Sequence, residues 1–228
     1  MALLGQAALA MWWDMGAGMK PEFEDWHSHE HFPERLGIPG FLRSSRWCDA
    51  SGGTGVFVLY ELENHAVLSS PAYLQRLNNP TPWSRKLMPH HKNMMRSQSH
   101  VLASWGGLTA KYATTLRFVP GAIGDVTRFC SAARAVLEGL AARPGVAGAH
   151  FLKHEAPPIE QTIEQKIRGV PDQCAEFVLL VTAYDETALS DITATDLSSA
   201  ALRALGAREL PANGYFALSH SALPADVR

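Results

Sequence analysis

Apolar and polar positions alternate along this chain with two periods, near two and near 3.6, and the order of the periods repeats. An apolar run over residues 4–13 predicts an opening strand, and Gly16 and Gly18 predict a turn. Pro21 then starts a helix, where its fixed φ and missing N–H cost nothing. Residues 41–48 and 56–62 predict two strands. The Gly-rich segment Ser51-Gly52-Gly53-Thr54-Gly55 between them has the composition of a hairpin loop. Val56 through Tyr60 form the strongest strand signal of this half. Val67, Leu68, Tyr73, Leu74 and Leu77 predict a helix over 65–78, which Asn79-Pro80-Thr81-Pro82 breaks. Residues 83–98, interrupted by Pro89, read as a short helix plus loop, and 100–105 as a closing strand.

The same succession follows after a short linker at 106–111. It comprises a strand at 112–119, a helix at 125–142, strands at 146–154 and 176–183, a helix at 187–205 and a strand at 214–221. The helix at 125–142 has an unambiguous apolar face, with Val126, Phe129, Cys130, Ala133, Val136, Leu137 and Leu140 at helical spacing. Residues 156–173, rich in proline and charge, read as an insertion. Pro39-Gly40-Phe41 in the first half and Pro144-Gly145-Val146 in the second occupy corresponding places.

Two βαββαβ successions predict two ferredoxin-like units, each a four-stranded antiparallel sheet with two helices on one face. The bare face of each sheet still carries apolar residues and must be covered. Two units in one chain can cover each other, sheet against sheet. The short linker argues against two independent domains. The expected fold class is therefore α+β, two tandem ferredoxin-like units packed sheet to sheet as a pseudo-dimeric α+β barrel. Unit one spans 1–107 and unit two 108–228.

Composition narrows the function classes. The net charge of −2 gives no electrostatic case for nucleic acid. Arg85, Lys86, His90, His91, Lys92 and Arg96 form a local basic stretch that reads as a solvated loop. Cys48, Cys130 and Cys174 are odd in number and widely spaced, which fits neither a zinc pattern nor a disulfide framework. The expected setting is cytoplasmic and reducing, with no membrane segment: the apolar N-terminal run is too short to span a bilayer and lacks a basic leader. No glycine-rich fingerprint argues for a nucleotide.

The halves differ at one place. The first holds Trp26-His27-Ser28-His29-Glu30-His31, where the second has Ser131, Ala132, Arg134 and Val136 opposite Trp26, His27, His29 and His31. On a strand the three alternate histidines would share a face. The preceding Pro-Glu-Phe-Glu-Asp instead suits a helix N-terminus, and at 100° per residue His27 and His31 lie together while His29 points away. Pro33 is expected to end or kink this helix, leaving His31 beside free carbonyls that raise its pKa. His31, with His27 as auxiliary, then reads as an acid or base acting on a bound small molecule. The plainer reading is a set of surface histidines with ordinary partners. A metal held by His27, His31 and a carboxylate such as Glu30 is a third alternative. Trp26, Tyr60, Arg46, Trp12 and Trp83 are candidate substrate-binding residues. All six tryptophans lie in the first unit, and their flat surfaces suit a small hydrophobic cyclic ligand.

The duplicated unit resembles a fused member of the dimeric α+β barrel superfamily, in which each pocket lies between a sheet and its helices. The stretch WHSHEHFPERLGIPG, Trp26 to Gly40, is similar to the EthD-like group: an aromatic residue, a histidine followed two positions later by proline, then Pro-Gly opening the second strand. Trp26, His31, Pro33, Pro39 and Gly40 carry that resemblance. It implies a small-molecule enzyme of monooxygenase, isomerase or cyclase type that needs no cofactor. Non-catalytic ligand binding, stress-related roles and haem binding or degradation are the alternatives within the superfamily. The fold does not choose among them. The resemblance further implies that the fused pair replaces the usual homodimer, with higher association open.

Overall fold

The computed structural model describes residues 3–169 and 173–227. Its strands are β1 (Ala7–Met15), β2 (Phe41–Asp49), β3 (Gly55–Leu62), β4 (His91–Gly106), β5 (Tyr112–Phe118), β6 (Val146–His154), β7 (Phe177–Ala183) and β8 (Ala212–Ala222). Among the described residues they close into one barrel in the order β1-β3-β2-β8-β5-β7-β6-β4. Every pairing is antiparallel.

The order contains one arrangement twice: β4-β1-β3-β2 and β8-β5-β7-β6. The two sheets meet at two seams, β2 with β8 and β4 with β6, so the second strand of each unit pairs with the fourth of the other. The chain is a pseudo-dimeric α+β barrel built from tandem ferredoxin-like units. Among the described residues closure leaves no open sheet edge to attract another chain.

Packing follows the alternation of side chains across each strand. Trp12, Trp47, Phe57, Leu59, Leu152, Leu180 and Phe216 fill the barrel interior. Trp13, Phe23, Trp26, Val58, Tyr60 and Tyr73 form a second core between the first sheet and its helices. Leu116, Phe129, Leu137, Phe151, Phe177 and Leu189 form a third on the second sheet. The internal symmetry extends to single residues. Gly40 and Gly145 both adopt positive φ, 92° and 87°. A Cβ added to either would come within 2.4 Å of a side chain, Val67 or Ala188. Both carbonyls accept a hydrogen bond from the end of a later strand, Gly40 from Glu63 N at 2.8 Å and Gly145 from Tyr184 N at 3.0 Å.

Several elements depart from the sequence expectation. Within 65–78 the chain winds as a 3₁₀ turn, His65–Ser69, and restarts as α3 (Pro71–Asn78). Ser70 causes the break, because its side chain accepts from Tyr73 N and caps a new helix. Residues 83–98 do not end in a loop: α4 (Pro82–Leu87) is followed by the long strand β4, and Pro89 lies in the turn before it. β4 pairs first with β1 and then with β6, so the second unit completes its backbone hydrogen bonding. The helix expected over 187–205 is two, α7 (Glu186–Ala194) and α8 (Ser199–Leu205), with Ser198 capping the second. α5 (Val126–Ala141) matches its apolar periodicity. The insertion at 156–173 contains α6 (Ile163–Arg168), opened by a capping box between Thr162 and Gln165 and closed at Gly169 with φ 76°. α6 lies against α3 of the other unit. Residues 170–172 of the insertion lie outside the described residues. Among the described residues no helix is long and apolar enough to cross a membrane.

Candidate active site

α1 (Lys20–Trp26) passes into a π turn, His27–His31, and then into α2 (Phe32–Leu36). The π turn is defined by the Phe32 N–H, which donates to His27 O five residues back. Pro33 explains it. In a regular α-helix the proline ring would press on the carbonyl four residues earlier, and the wider turn relieves that contact. Pro33 therefore neither ends nor frays the helix here, contrary to expectation.

The wider turn sets the faces of the helix. Residues five apart come into register, so Trp26 packs on His31 with ring centroids 4.4 Å apart and His27 on Phe32 at 4.3 Å. His27 and His31 stack on each other at 5.3 Å and 27°. His29 points outward to Asp25 and is exposed. The pair and the outlier stand as the sequence predicted, but both paired imidazoles are buried, His27 at 2% and His31 at 8% exposure.

A third imidazole joins them. His91 opens β4, is buried, and packs on Trp13 at 4.8 Å and Trp26 at 6.0 Å. By sequence it falls in the basic stretch expected to be a solvated loop. That stretch is split: Arg85 and Lys86 are exposed, whereas His91 and Arg96 are buried on the extended strand.

These groups line two small cavities of about 30 and 20 Å³ that share Met11, His31, Tyr60, Glu164 and Arg168. Each has room for about one water. His27, His91, Trp13 and Trp26 complete the first, and Arg35, Tyr73 and Arg96 are part of the second. Glu164 and Arg168 belong to α6, so the second unit roofs the pocket of the first. The roof is held by a buried ion pair, Arg35 Nη2 donating to Glu164 Oε1 at 2.5 Å. Ile163 N also donates to Asn78 Oδ1 at 3.1 Å.

Burial sets the protonation states. It pushes His31 well below the ordinary imidazole range, and the positive charges of Arg35 and Arg168 add to this, as does the proximity of the His91 imidazole. The direction is opposite to the one expected from a frayed helix end. His27 is depressed likewise by burial, then by His31 and Arg46. His91 falls to about 3, again chiefly through burial, then Arg168. All three are neutral at neutral pH. Burial raises the Tyr60 phenol, so it stays protonated. For Arg35, burial opposes the charge, but Glu164, Tyr73, Tyr60 and Glu34 together outweigh it and the pKa rises. Among the described residues His27 Nδ1, His31 Nδ1, His91 Nε2 and Trp13 Nε1 are buried without a hydrogen-bond partner. Four such groups around one cavity are costly to leave unpaired in a folded core.

Of the sequence-predicted residues, Trp26, His27, His31 and Tyr60 converge on this cavity. Arg46 lies behind it, over the Phe23 ring at 5.5 Å and donating to Glu24 O. Trp83 lines neither cavity and donates to Glu22 at 3.2 Å. Trp12 faces the barrel interior, stacked on Phe57 at 5.1 Å and bonded to Thr115, on the other side of the sheet from His31. Glu30, the carboxylate considered for a metal, accepts from Trp26 Nε1 and Thr81 Oγ1. His91, Arg35, Glu164 and Arg168 escaped the sequence reading. The capping pair Thr162 and Gln165 was the one available signal that the insertion holds a helix.

No family model matches the sequence, and no curated protein matches it. Solved structures do share the fold. An anthrone oxidase-like protein aligns with TM-score 0.60 at 11% identity, over 96% of this chain and 93% of that one. A candidate monooxygenase from Fusobacterium nucleatum aligns with TM-score 0.59 at 8% identity, over 97% and 96% of the two chains. A second candidate monooxygenase, from Lactobacillus acidophilus, aligns with TM-score 0.56 at 10% identity, over 96% and 97%. At these identities the likeness establishes the architecture.

Proposed function

We propose that the first unit binds a small hydrophobic cyclic ketone or related carbonyl compound and removes a proton from it, with His31 as the base. The observation that carries this reading is the pair of buried, neutral imidazoles whose Nδ1 atoms lack partners beside a cavity also lined by Tyr60. A neutral imidazole holds an electron pair at neutral pH and can accept a proton. Burial makes it a weak base in the empty pocket, and the enolate formed beside it offsets this by pairing with the imidazolium. The Tyr60 phenol, held protonated, donates to the developing enolate oxygen. The charges of Arg35 and Arg168 near His31 favour the same anion. His27, stacked on His31, positions it and disperses the charge it acquires.

An enolate formed in this way has two fates. Reprotonation at another carbon gives isomerisation. Electron transfer to dioxygen, followed by C–O bond formation between the carbon radical and superoxide, gives a peroxide anion. This anion takes back the proton held by His31 and loses water, leaving a new carbonyl, so that dioxygen is the oxidant and no cofactor is needed. The likeness to an anthrone oxidase-like fold supports the second for flat enolisable ketones, as does the aromatic wall of Trp13 and Trp26. The cavities are smaller than such a ligand, so α6 shifts outward as the ligand enters. The test is oxygen uptake with anthrone as the probe, in the wild type and in His31→Ala. Binding seen as tryptophan quenching without uptake or isomerised product would assign the chain to ligand carriage instead.

A further inference from the structure

A second constellation of ligating side chains lies away from this pocket, at the β4–β6 seam. His65 opens the 3₁₀ turn after β3, His100 lies on β4, and Glu155 directly follows β6. One ligand atom from each, two imidazole nitrogens and a carboxylate oxygen, lie within 4.8 Å of one another. His65 and His100 stack at 4.4 Å between centroids, and His100 Nε2 is 3.3 Å from Glu155 Oε2.

The hydrogen bonding already resembles that of a metal ligand. His65 Nε2 lies 2.9 Å from the Glu155 backbone oxygen. A carbonyl can only accept, so this nitrogen carries the proton and the tautomer is assigned by that bond. His65 Nδ1 is left with its electron pair. Metal-bound histidines are oriented in this manner, by the second N–H donating to a carbonyl or carboxylate. Both imidazoles are half-buried and Glu155 is exposed. The three can therefore close the remaining gap by side-chain rotation, to the ~2.0–2.2 Å bonds of a first-row divalent ion.

We propose that His65, His100 and Glu155 bind one divalent first-row transition ion of the Zn²⁺ class, with water completing the shell. Two nitrogens and one carboxylate suit such an ion better than Ca²⁺ or Mg²⁺, which favour oxygen. His65 and His100 come from the first unit and Glu155 from the second; His100 lies on β4, which pairs at the seam with β6, the strand that Glu155 follows. The ion would therefore staple the two halves of the barrel at this end. Because it binds the folded chain more tightly than the unfolded one, it raises the melting temperature, and the rise grows with the logarithm of the free metal concentration above the dissociation constant.

The test uses untagged, chelator-stripped full-length protein. Calorimetric titration with Zn²⁺, visible absorption with Co²⁺, and melting with and without Zn²⁺ are each measured for the wild type, His65→Ala, His100→Ala, His100→Gln and Glu155→Gln. The expected result is one Zn²⁺ per chain and a higher melting temperature with metal. Both effects should be lost in every histidine variant and weakened at least tenfold in Glu155→Gln, with apo melting temperatures close to wild type. His100→Gln keeps the bulk of the side chain, so its circular dichroism separates lost binding from lost folding. Absence of stoichiometric Zn²⁺ binding overturns the proposal. So does binding that survives both His65→Ala and His100→Ala, or binding abolished by His31→Ala, which would place the ion in the buried pocket.

Discussion

The imidazole of His31 packs on the indole of Trp26 with ring centroids 4.4 Å apart, although the two residues are five positions apart on one helix. A regular α-helix aligns residues three and four apart, not five. The contact exists because the segment His27–His31 is a π turn, and that turn accompanies Pro33. A proline that looks like a helix breaker thus aims the histidines. π turns of this kind occur often at functional sites.

Replacing that proline tests the link. Pro33→Ala restores a backbone N–H and removes the ring that favours the wider turn. The π turn should revert toward α geometry and turn His31 away from Trp26. The expected outcome is a changed tryptophan emission maximum and weakened ligand binding, with little loss of stability. Fluorescence and urea denaturation on the same sample check both.

The roof predicts a stability effect. Arg35 and Glu164 are 3% and 6% exposed at their side chains. Removing Glu164 leaves the buried Arg35 with only Glu34, 3.6 Å away, as a counter-charge, at a cost of up to about 3–5 kcal/mol. Glu164→Ala should lose stability of that order in urea denaturation. Arg35→Met/Glu164→Leu, which removes both charges, should recover most of it.

Acid should weaken the fold through the buried imidazoles. His91 falls from 6.5 to about 3, and His150, fully buried on β6, from 6.5 to about 4 on folding, both mainly by burial. Between 6.5 and those values the unfolded chain binds protons that the folded chain refuses, so stability rises with pH there. Their contribution is complete above about pH 7. It is lost as pH falls toward 4 for His150 and toward 3 for His91, at up to about 1.4 kcal/mol per pH unit for each. Urea midpoints from pH 8 to 4 should decline, and His91→Gln should decline less steeply. An equal slope in the variant would contradict the burial of a neutral imidazole there.

The two Pro-Gly turns predict paired effects. Gly40→Ala and Gly145→Ala each place a Cβ at positive φ and 2.4 Å from a neighbouring side chain. Each should cost about 1–3 kcal/mol, and the losses should be similar because the turns are equivalent. Chemical denaturation of both variants checks this.

How much of this was legible depends on whether the cause was local. The repeat, the barrel and the pairing of His27 with His31 rest on periodicity, turns and the paired Pro-Gly steps, all readable along the chain. The π turn was not, because its cause is a carbonyl contact that spacing at 100° per residue does not show. His91 was missed because β4 gets half of its partners from β6, a neighbour supplied by the fold rather than by nearby sequence. Glu164 and Arg168 lie more than a hundred residues from His31, and nothing in a proline-rich insertion says which unit it will cover. The reversed shift of His31 has the same origin: a helix end can be read from sequence, but burial by another unit cannot. Trp12 and Trp13 show the finest limit. Adjacent and identical, they face opposite sides of one strand, and only strand register decides which one meets the histidines.

His31 is proposed as the base in a closed, aromatic pocket. Oxygen uptake with anthrone tests it most directly, run at pH 7.5 on wild type and His31→Ala, with binding followed by tryptophan quenching. Loss of a general base typically costs about 10²–10⁴ in rate. Uptake by the wild type that falls by at least a hundredfold in His31→Ala, with affinity for anthrone changed less than tenfold, is the predicted result. Uptake undiminished in His31→Ala would contradict it.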